Sequence, residues 1–550
     1  MTTRRGKVVG RKLPLVIWCL LALLSIDLST GRGTVRPNRA LAQTGEDGWS
    51  KPTLVSTRDD VTSAWFPDIA VDEDGRVHIV WDSTGPPRRL GDPGLGMTMH
   101  AVRLSDSTWS TPNDIATGSG YEVSRPAIAS DQVGKLHVTF RSMGVLSYVH
   151  AKSRQAHSAQ AWSQPQPLSS SQNYVSDVAI DSRGVVHSIW YEWIPVALSA
   201  EDIFHYSRSP YLSEVFYRRS ADDGATWSAP VNLSQTPNVG SGRPQMTIDE
   251  ADRIHVVWDE GWDRNAQDDI AGALPVCGMY IQSADGGYTW SPPKVLDSPL
   301  TERTVLTGTF AAFDVGLRQL RDRMGTDHPR YSELLVYQSQ LVGTVAETRR
   351  DETRLDSQSD DTISLHIERA LEELELERAG LTEQIDALAS SVVGMSLDEL
   401  SDSGPVTTGT RTTESLPYAD NAQITVGTDD KQGVLLVWRS RELRRLYYTW
   451  SKDGGTTWSR VEPIPGIYAR PWNEPFDTYA TATDSLGHIH LLAVATTATP
   501  EPYERDIPLG VYHLSWGGET WTTPEPLATY TGRAIPEYPR IAVGGGNHLH

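Results

Sequence analysis

Ser220-Ala221-Asp222-Asp223-Gly224-Ala225-Thr226-Trp227 is the stretch that decides the fold. It closes an alternating apolar run and reads as a tight turn. The Asp side chain accepts backbone N–H groups within the turn, Gly supplies φ > 0, and Trp lays a large apolar face on a sheet edge. The string recurs from Ser283 through Asp285 and Gly287 to Trp290, and from Ser451 through Asp453 and Gly455 to Trp458. A shortened copy without the Asp runs from Ser515 to Trp521. Ser220, Asp222, Gly224, Trp227 and their counterparts are therefore expected to be structural.

Working outward, the tail W-[ST]-x-[PV] occurs seven times, at Trp49, Trp109, Trp162, Trp227, Trp290, Trp458 and Trp521. The spacings are 60, 53, 65, 63, 168 and 63, so one interval carries an insert of about a hundred residues. Between the tails runs a second pattern, clearest at Ile69-Ala70-Val71-Asp72-Glu73-Asp74-Gly75-Arg76-Val77-His78-Ile79-Val80-Trp81. Period-two alternation on both sides of an Asp/Gly turn is a β-hairpin. Each unit is thus four short antiparallel strands in about 60 residues, the size of a propeller blade.

The S-x-D-x-G-x-T-W strings resemble the Asp boxes, or BNR repeats, of the sialidase superfamily. The expected fold is all-β, an Asp-box β-propeller of six complete four-stranded blades plus an incomplete seventh. Sialidases have six blades, so the count departs from the family. The seventh unit starts near Arg540 and stops in mid-blade, and the orphan tail at Trp49 is placed to close it. The chain is accordingly expected to be a fragment. The divisions are 1–42 signal peptide, 43–300 blades one to four, 301–415 helical insert, and 416–550 blades five, six and part of seven.

The N-terminus supports export. Arg4, Arg5, Lys7, Arg11 and Lys12 precede the apolar run Leu13–Leu28, and Ala40-Leu41-Ala42 offers a cleavage site. A secreted or cell-surface protein is expected, with an uncleaved anchor as the alternative. The mature chain keeps Cys277 alone and forms no internal disulfide. It also keeps 41 basic and 69 acidic residues, a net charge of −28 against −21 for all 550. That excess argues against a nucleic-acid partner, which needs clustered Lys and Arg.

The short D-x-x-G and S-x-D-x-G turns fall at one end of the strands. Long connections at Asp82–Gly96, Tyr191–Ser213, Asp259–Val276 and Thr496–Leu509 fall at the other, where binding is expected. Arg125 and Arg243 open Arg-Pro pairs before first strands, Arg470 does the same, and Arg540 follows Pro539. They read as strand-entry residues or as an anion clamp. In sialidases an arginine triad holds the substrate carboxylate, and the resemblance implies an acid Asp with a Tyr–Glu pair. Asp82, Glu537 and Tyr538 are the candidates, although the family's F-R-I-P string is absent. Tyr191, Trp193 and Trp262 are candidates for stacking on sugar faces. Glu192, Asp259, Glu260 and Asp263 bind hydroxyls or form a solvated rim. His78, His137, His187, His255, His490 and His550 share one repeat position, hence lie in different blades and are packing residues. Neither zinc spacing nor an EF-hand loop occurs, so no metal or cofactor is expected.

The insert carries a helical seam at Phe310, Phe313, Leu317, Leu320 and Met324. A cleaner one runs Ile367, Leu371, Leu374, Leu381, Ile385, Leu388 and Val392, broken at Arg378. It is either a self-contained bundle or a coiled-coil arm pairing with a partner or another copy. Three functions follow: a propeller binding a glycan or an extracellular protein, a sialidase-like glycoside hydrolase, or an assembly protein acting through the insert.

Overall fold

The computed structural model describes residues 49–58, 63–86, 94–105, 108–119, 123–195, 211–235, 240–262, 277–296, 311–325, 328–334, 337, 341, 361–403, 421–440, 445–469, 479–499, 508–530 and 538–550. The proposed signal at 1–42, Cys19, Arg470, Glu537 and Asp263 lie outside them.

The chain is mostly β, in successive antiparallel meanders. The first sheet joins β1 (Ser63–Val71), β2 (Val77–Thr84), β3 (Leu95–Ser105), β4 (Thr108–Trp109) and β5 (Asn113–Ser119). The second joins β6 (Val123–Ser130), β7 (Lys135–Ser142), β8 (Val145–Lys152) and β9 (Gln166–Pro167). The third joins β10 (Asn173–Ile180), β11 (Val186–Pro195), β12 (Tyr211–Ser220) and β13 (Val231–Asn232). The fourth joins β14 (Gly240–Ile248), β15 (Ile254–Trp262), β16 (Cys277–Ser283) and β17 (Lys294–Leu296). The fifth sheet, after the insert, has eight strands: β18 (Asn421–Thr428), β19 (Val434–Ser440), β20 (Arg445–Ser451) and β21 (Glu462–Ala469), joined by β21–β23 pairing to β22 (Tyr479–Thr483), β23 (Ile489–Thr496), β24 (Leu509–Trp516) and β25 (Glu525–Tyr530). A ribbon of β26 (Val543–Gly544) and β27 (His548–Leu549) ends the chain. Each first strand packs on the next, from β1 through β6, β10, β14 and β18 to β22. This layout is consistent with a β-propeller.

Local chemistry explains each repeat signature. In the D-x-x-G turns one carboxylate oxygen accepts two backbone N–H groups. Asp72 Oδ1 takes those of Asp74 (3.0 Å) and Arg76 (2.8 Å), and Asp131, Asp181 and Asp484 repeat the pair, as do Asp249 and Asp429 with Asp252 (φ 58°) and Gln432 (φ 69°) in place of the Gly. The W-[ST] tails are pins. The hydroxyls of Ser110, Ser163, Ser228, Ser291, Ser459 and Thr522 each accept a third-strand N–H, from Val102, His150, Arg219, Gln282, Trp450 and Ser515. In the S-x-D-x-G turns Ser220 Oγ accepts Gly224 N–H at 2.8 Å, and Asp222 takes the N–H and hydroxyl of Thr226 at 2.8 and 2.6 Å. The turns at Ser283 and Ser451 repeat this.

Sheets interlock through buried His–Tyr pairs. His187 Nδ1 lies 2.7 Å from Tyr217 Oη, and His187 Nε2 lies 3.5 Å from Asp181. His137 joins Tyr148 and Asp131, and His255 joins Tyr280 and Asp249, in the same way. Each tyrosine then meets the tail Trp of the following sheet edge-on: Tyr148 with Trp227, Tyr217 with Trp290 and Tyr280 with Trp458, at 5.0–5.2 Å. The hydroxyl end of Tyr217 occupies the place of a side chain on Gly287. A Cβ there would sit 1.9 Å from Oη, and Gly287 has φ +85°. Histidine replaces tyrosine at two borders, His100 against Trp162 (5.3 Å) and His513 against Trp49 (5.5 Å). Trp49 thus stands on β24 as the other tails stand on third strands.

The insert contributes α1 (Ala311–Met324), α2 (Asp361–Val393) and α3 (Leu397–Ser403). A Ser396–Glu399 capping box starts α3. Leu317, Leu320, Leu381, Ile385 and Leu388 are buried, in one apolar cluster with Val215, Val256 and Met279 of the third and fourth sheets. The second half of the α2 seam is therefore covered within the chain. Leu371 is half-buried and Leu376 is 61% exposed. Among the described residues no helix is long and apolar enough to cross a membrane.

Candidate functional site

Each first strand of the first five sheets carries a β-bulge near its start, at the end away from the tight turns. The register shifts between Trp65 and Asp68, Ser124 and Ala127, Asn173 and Ser176, Gly242 and Gln245, and Ala422 and Thr425. Phe66 (φ 50°), Arg125 (φ 55°) and Arg243 (φ 50°) sit in these bulges, and Tyr538 (φ 54°) has the same backbone; each precedes a proline. A left-handed bulky residue costs about 1–3 kcal/mol and such strain gathers at functional sites.

The bulges bring side chains from three sheets together. The Arg125 guanidinium lies 4.0 Å from the Phe66 ring and 3.4 Å from the Tyr174 ring, so an aromatic sits on each contact. Tyr174 meets Tyr191 edge-on at 6.2 Å, and Phe66 meets Tyr538 at 4.3 Å. Asp82 faces Trp65 across the β1–β2 pair. Its carboxyl is pushed up to about 7 by burial, which outweighs the Arg125 charge. Its Oδ1 has no hydrogen-bond partner among the described residues, and only 7% of Asp82 is exposed. Trp65 stays 46% exposed beside it. Deeper along the first strands, Asp68 accepts Ile128 N–H and Asp177 accepts Met246 N–H, each 2.8 Å. Burial, then repulsion from Asp68, pushes Asp177 up to about 7.

The arginines are engaged within the chain. Arg243 Nε contacts Asp259 Oδ2 at 2.8 Å, off the line of a hydrogen bond, and Arg540 Nε lies 3.2 Å from Asp68 Oδ1. Arg540 does not hold the place of Arg125 and Arg243. Ala542 pairs with His550 as Ala70 pairs with His78, which puts Arg540 at the Asp68 position and Tyr538 at the Arg125 position. Tyr538 is buried, as is Tyr191, whose hydroxyl burial pushes far up. Tyr191 therefore packs against Tyr174 and offers no open face for stacking. Trp193 is 39% exposed, and Trp262 ends β15.

The expected acidic rim is absent at Glu192 and Glu260, which are buried. Trp190 Nε1 donates to Glu192 at 2.8 Å and Trp258 Nε1 to Glu260 at 2.7 Å. Asp259 is buried with Arg243. The histidines are held in separate sheets, and among the described residues no His, Cys, Asp or Glu cluster could hold a metal ion. A pocket of about 320 Å³ lies at the other end of the strands, lined by Lys135, Tyr148, His150, Gln166, Asp223 and Gly224. It is the gap left by the Tyr148–Gly224 interlock, with Lys135 paired to Asp223.

No family model matches the sequence, and no curated protein matches it. Among solved structures, an ulvan lyase of a new polysaccharide lyase family shares 10% identity over 86% of this chain and 84% of its own, with a TM-score of 0.42. A Hadza microbial sialidase shares 12% over 81% of this chain and 69% of its own, with a TM-score of 0.37. The leech intramolecular trans-sialidase shares 12% over 92% of this chain and 67% of its own, with a TM-score of 0.35. The fold is read from the sheets themselves, and function from the bulges.

Proposed function

We propose that this chain is an exported Asp-box β-propeller, with six complete blades and part of a seventh, that binds a glycan at the loop-rich ends of its first strands. The observation that carries this reading is Arg125, held at positive φ between Phe66 and Tyr174 beside the buried Asp82. Strain is retained there, whereas at the other end the turn carboxylates and the tail hydroxyls find their partners within the chain. A glycan array probed with the full chain tests it. Binding that disappears in Tyr174→Ala, with unchanged circular dichroism, supports the reading. An extracellular protein is the other ligand class for these same strand ends, the mouth of the site.

A sialidase-like hydrolase is the second reading, favoured by Asp82. A carboxyl near 7 suits a general acid at neutral pH. Turnover of a fluorogenic sialoside, lost in Asp82→Asn, is the expected result; no turnover by the wild-type chain sinks it. The assembly reading rests on Leu376, exposed on α2. Self-association seen by light scattering and removed by Leu376→Glu would support it. Export is checked by N-terminal sequencing of the secreted chain, with cleavage expected after Ala42.

A further inference from the structure

We propose that the mouth selects an uncharged, hydroxylated ring, a neutral saccharide face, which stacks on Trp65 and donates a hydroxyl hydrogen bond to Asp82. The inference deepens the glycan-binding reading and rests on it.

The mouth asks for a donor. Asp82 Oδ1 is a buried acceptor without a partner among the described residues. An acceptor left in that state costs about 1–3 kcal/mol, and the ligand that removes the cost must bring an O–H or N–H. A sugar hydroxyl does so; a carboxylate has no hydrogen to give. Trp65 supplies the second half. It lies opposite Asp82 in the β1–β2 pair, is 46% exposed, and its ring centre is 6.3 Å from that of Phe66. A flat apolar face next to a polar acceptor matches the C–H face and hydroxyl edge of a pyranose.

The charges point the same way. An arginine clamp for an anion needs guanidinium edges presented to the ligand. Here Arg243 is 2.8 Å from Asp259, and Arg540 is 3.2 Å from Asp68 and donates to the Pro539 carbonyl at 3.0 Å, while the two rings on Arg125 cover its faces and leave its edges. Asp68, Asp82, Asp177 and Asp259 are the carboxyl groups around them. An arriving carboxylate would meet one guanidinium edge instead of three.

The test is calorimetric titration of the full chain with neutral oligosaccharides and with matched sialylated and uronate-bearing ones. Neutral ligands are expected to bind, with the acidic counterparts weaker by about tenfold or more, a difference of about 1.4 kcal/mol. Trp65→Ala should weaken neutral binding by about tenfold and Trp65→Tyr should restore most of it. Trp65 is half exposed, so both variants should fold, with thermal melting as the check. Acidic glycans that bind as tightly as neutral ones, through a site indifferent to Trp65→Ala and abolished by Arg243→Ala, would overturn the inference while leaving the glycan reading intact. No binding of either class overturns both.

Discussion

At the turn end of the strands one repeat position holds the same residue sheet after sheet: Asp72, Asp131, Asp181, Asp249, Asp429 and Asp484. At the loop end the equivalent position holds Phe66, Arg125, Arg243 or Tyr538. The backbone repeats at both ends, but only the first end repeats its chemistry. Sameness marks a position solving one local problem, the satisfaction of turn N–H groups. Variation on a strained, repeated backbone marks positions whose side chains meet one another and a ligand.

The comparison is broken most sharply at Gly287. Gly287→Ala puts a Cβ on Tyr217 Oη in a left-handed backbone, with an expected loss of about 3 kcal/mol or more in denaturant unfolding. Gly75→Ala meets nothing within 4 Å and should cost only about 1 kcal/mol for its φ of +78°.

Next come two carboxylates of opposite character. Hydrogen bonds from His255, Arg253 and the turn amides hold Asp249 at about 2 against burial, so Asp249→Asn should cost about 2 kcal/mol. Burial holds Asp82 up near 7, so Asp82→Asn should leave stability at pH 7 unchanged or raise it by up to ~1 kcal/mol. Equal losses in the two variants would erase the distinction.

Acid sharpens it further. Burial lowers His187 to about 4 despite Asp181, and lowers His100 to about 3. Both are neutral when folded and bind protons more readily when unfolded, where the value is about 6.5. Their contribution is intact above about 6.5 and drains as pH falls toward 4 and 3, at up to about 1.4 kcal/mol per pH unit for each. Asp82 works in the reverse sense. Folded, it takes up its proton near 7, so the fold gains from it as pH falls from about 7 to the unfolded value near 4. Asp177 and Glu214, also pushed up to about 7 by burial, act in the same sense, so chemical denaturation across pH 4–8 should show Asp82→Asn losing more stability on acidification than the wild-type chain. Tyr217→Phe should cost about 1 kcal/mol for the lost bond to His187, read by denaturant unfolding.

The turn chemistry was legible because it is local: the Asp accepts from residues two and four further on. The His position was legible too, but its partner was not. Tyr148, Tyr217 and Tyr280 lie 11, 30 and 25 residues beyond their histidines, since the second-to-third-strand loop varies. A fixed signal did exist, for Tyr217, Tyr280 and Tyr448 each stand three residues before the turn serine. Trp65 and Phe66 carry no Arg-Pro signature, although Phe66-Pro67 occupies the same bulge. Arg540 was misplaced because its proline precedes it, and only strand register reveals the offset. Glu192 and Glu260 lie two residues after a Trp, on the same strand face, and that spacing alone could have marked them as indole acceptors.

The Tyr217–Gly287 contact has one more consequence, for how such a chain can grow by copying. A duplicated segment that begins and ends at sheet borders is still mismatched, since its tyrosine needs a glycine socket supplied by whatever follows. The smallest stretch that carries both halves of one joint starts in the third strand of one sheet and ends at the tail Trp of the next. Gene segments cut along that staggered boundary would arrive already mated, whereas cuts along the visible sheets would not.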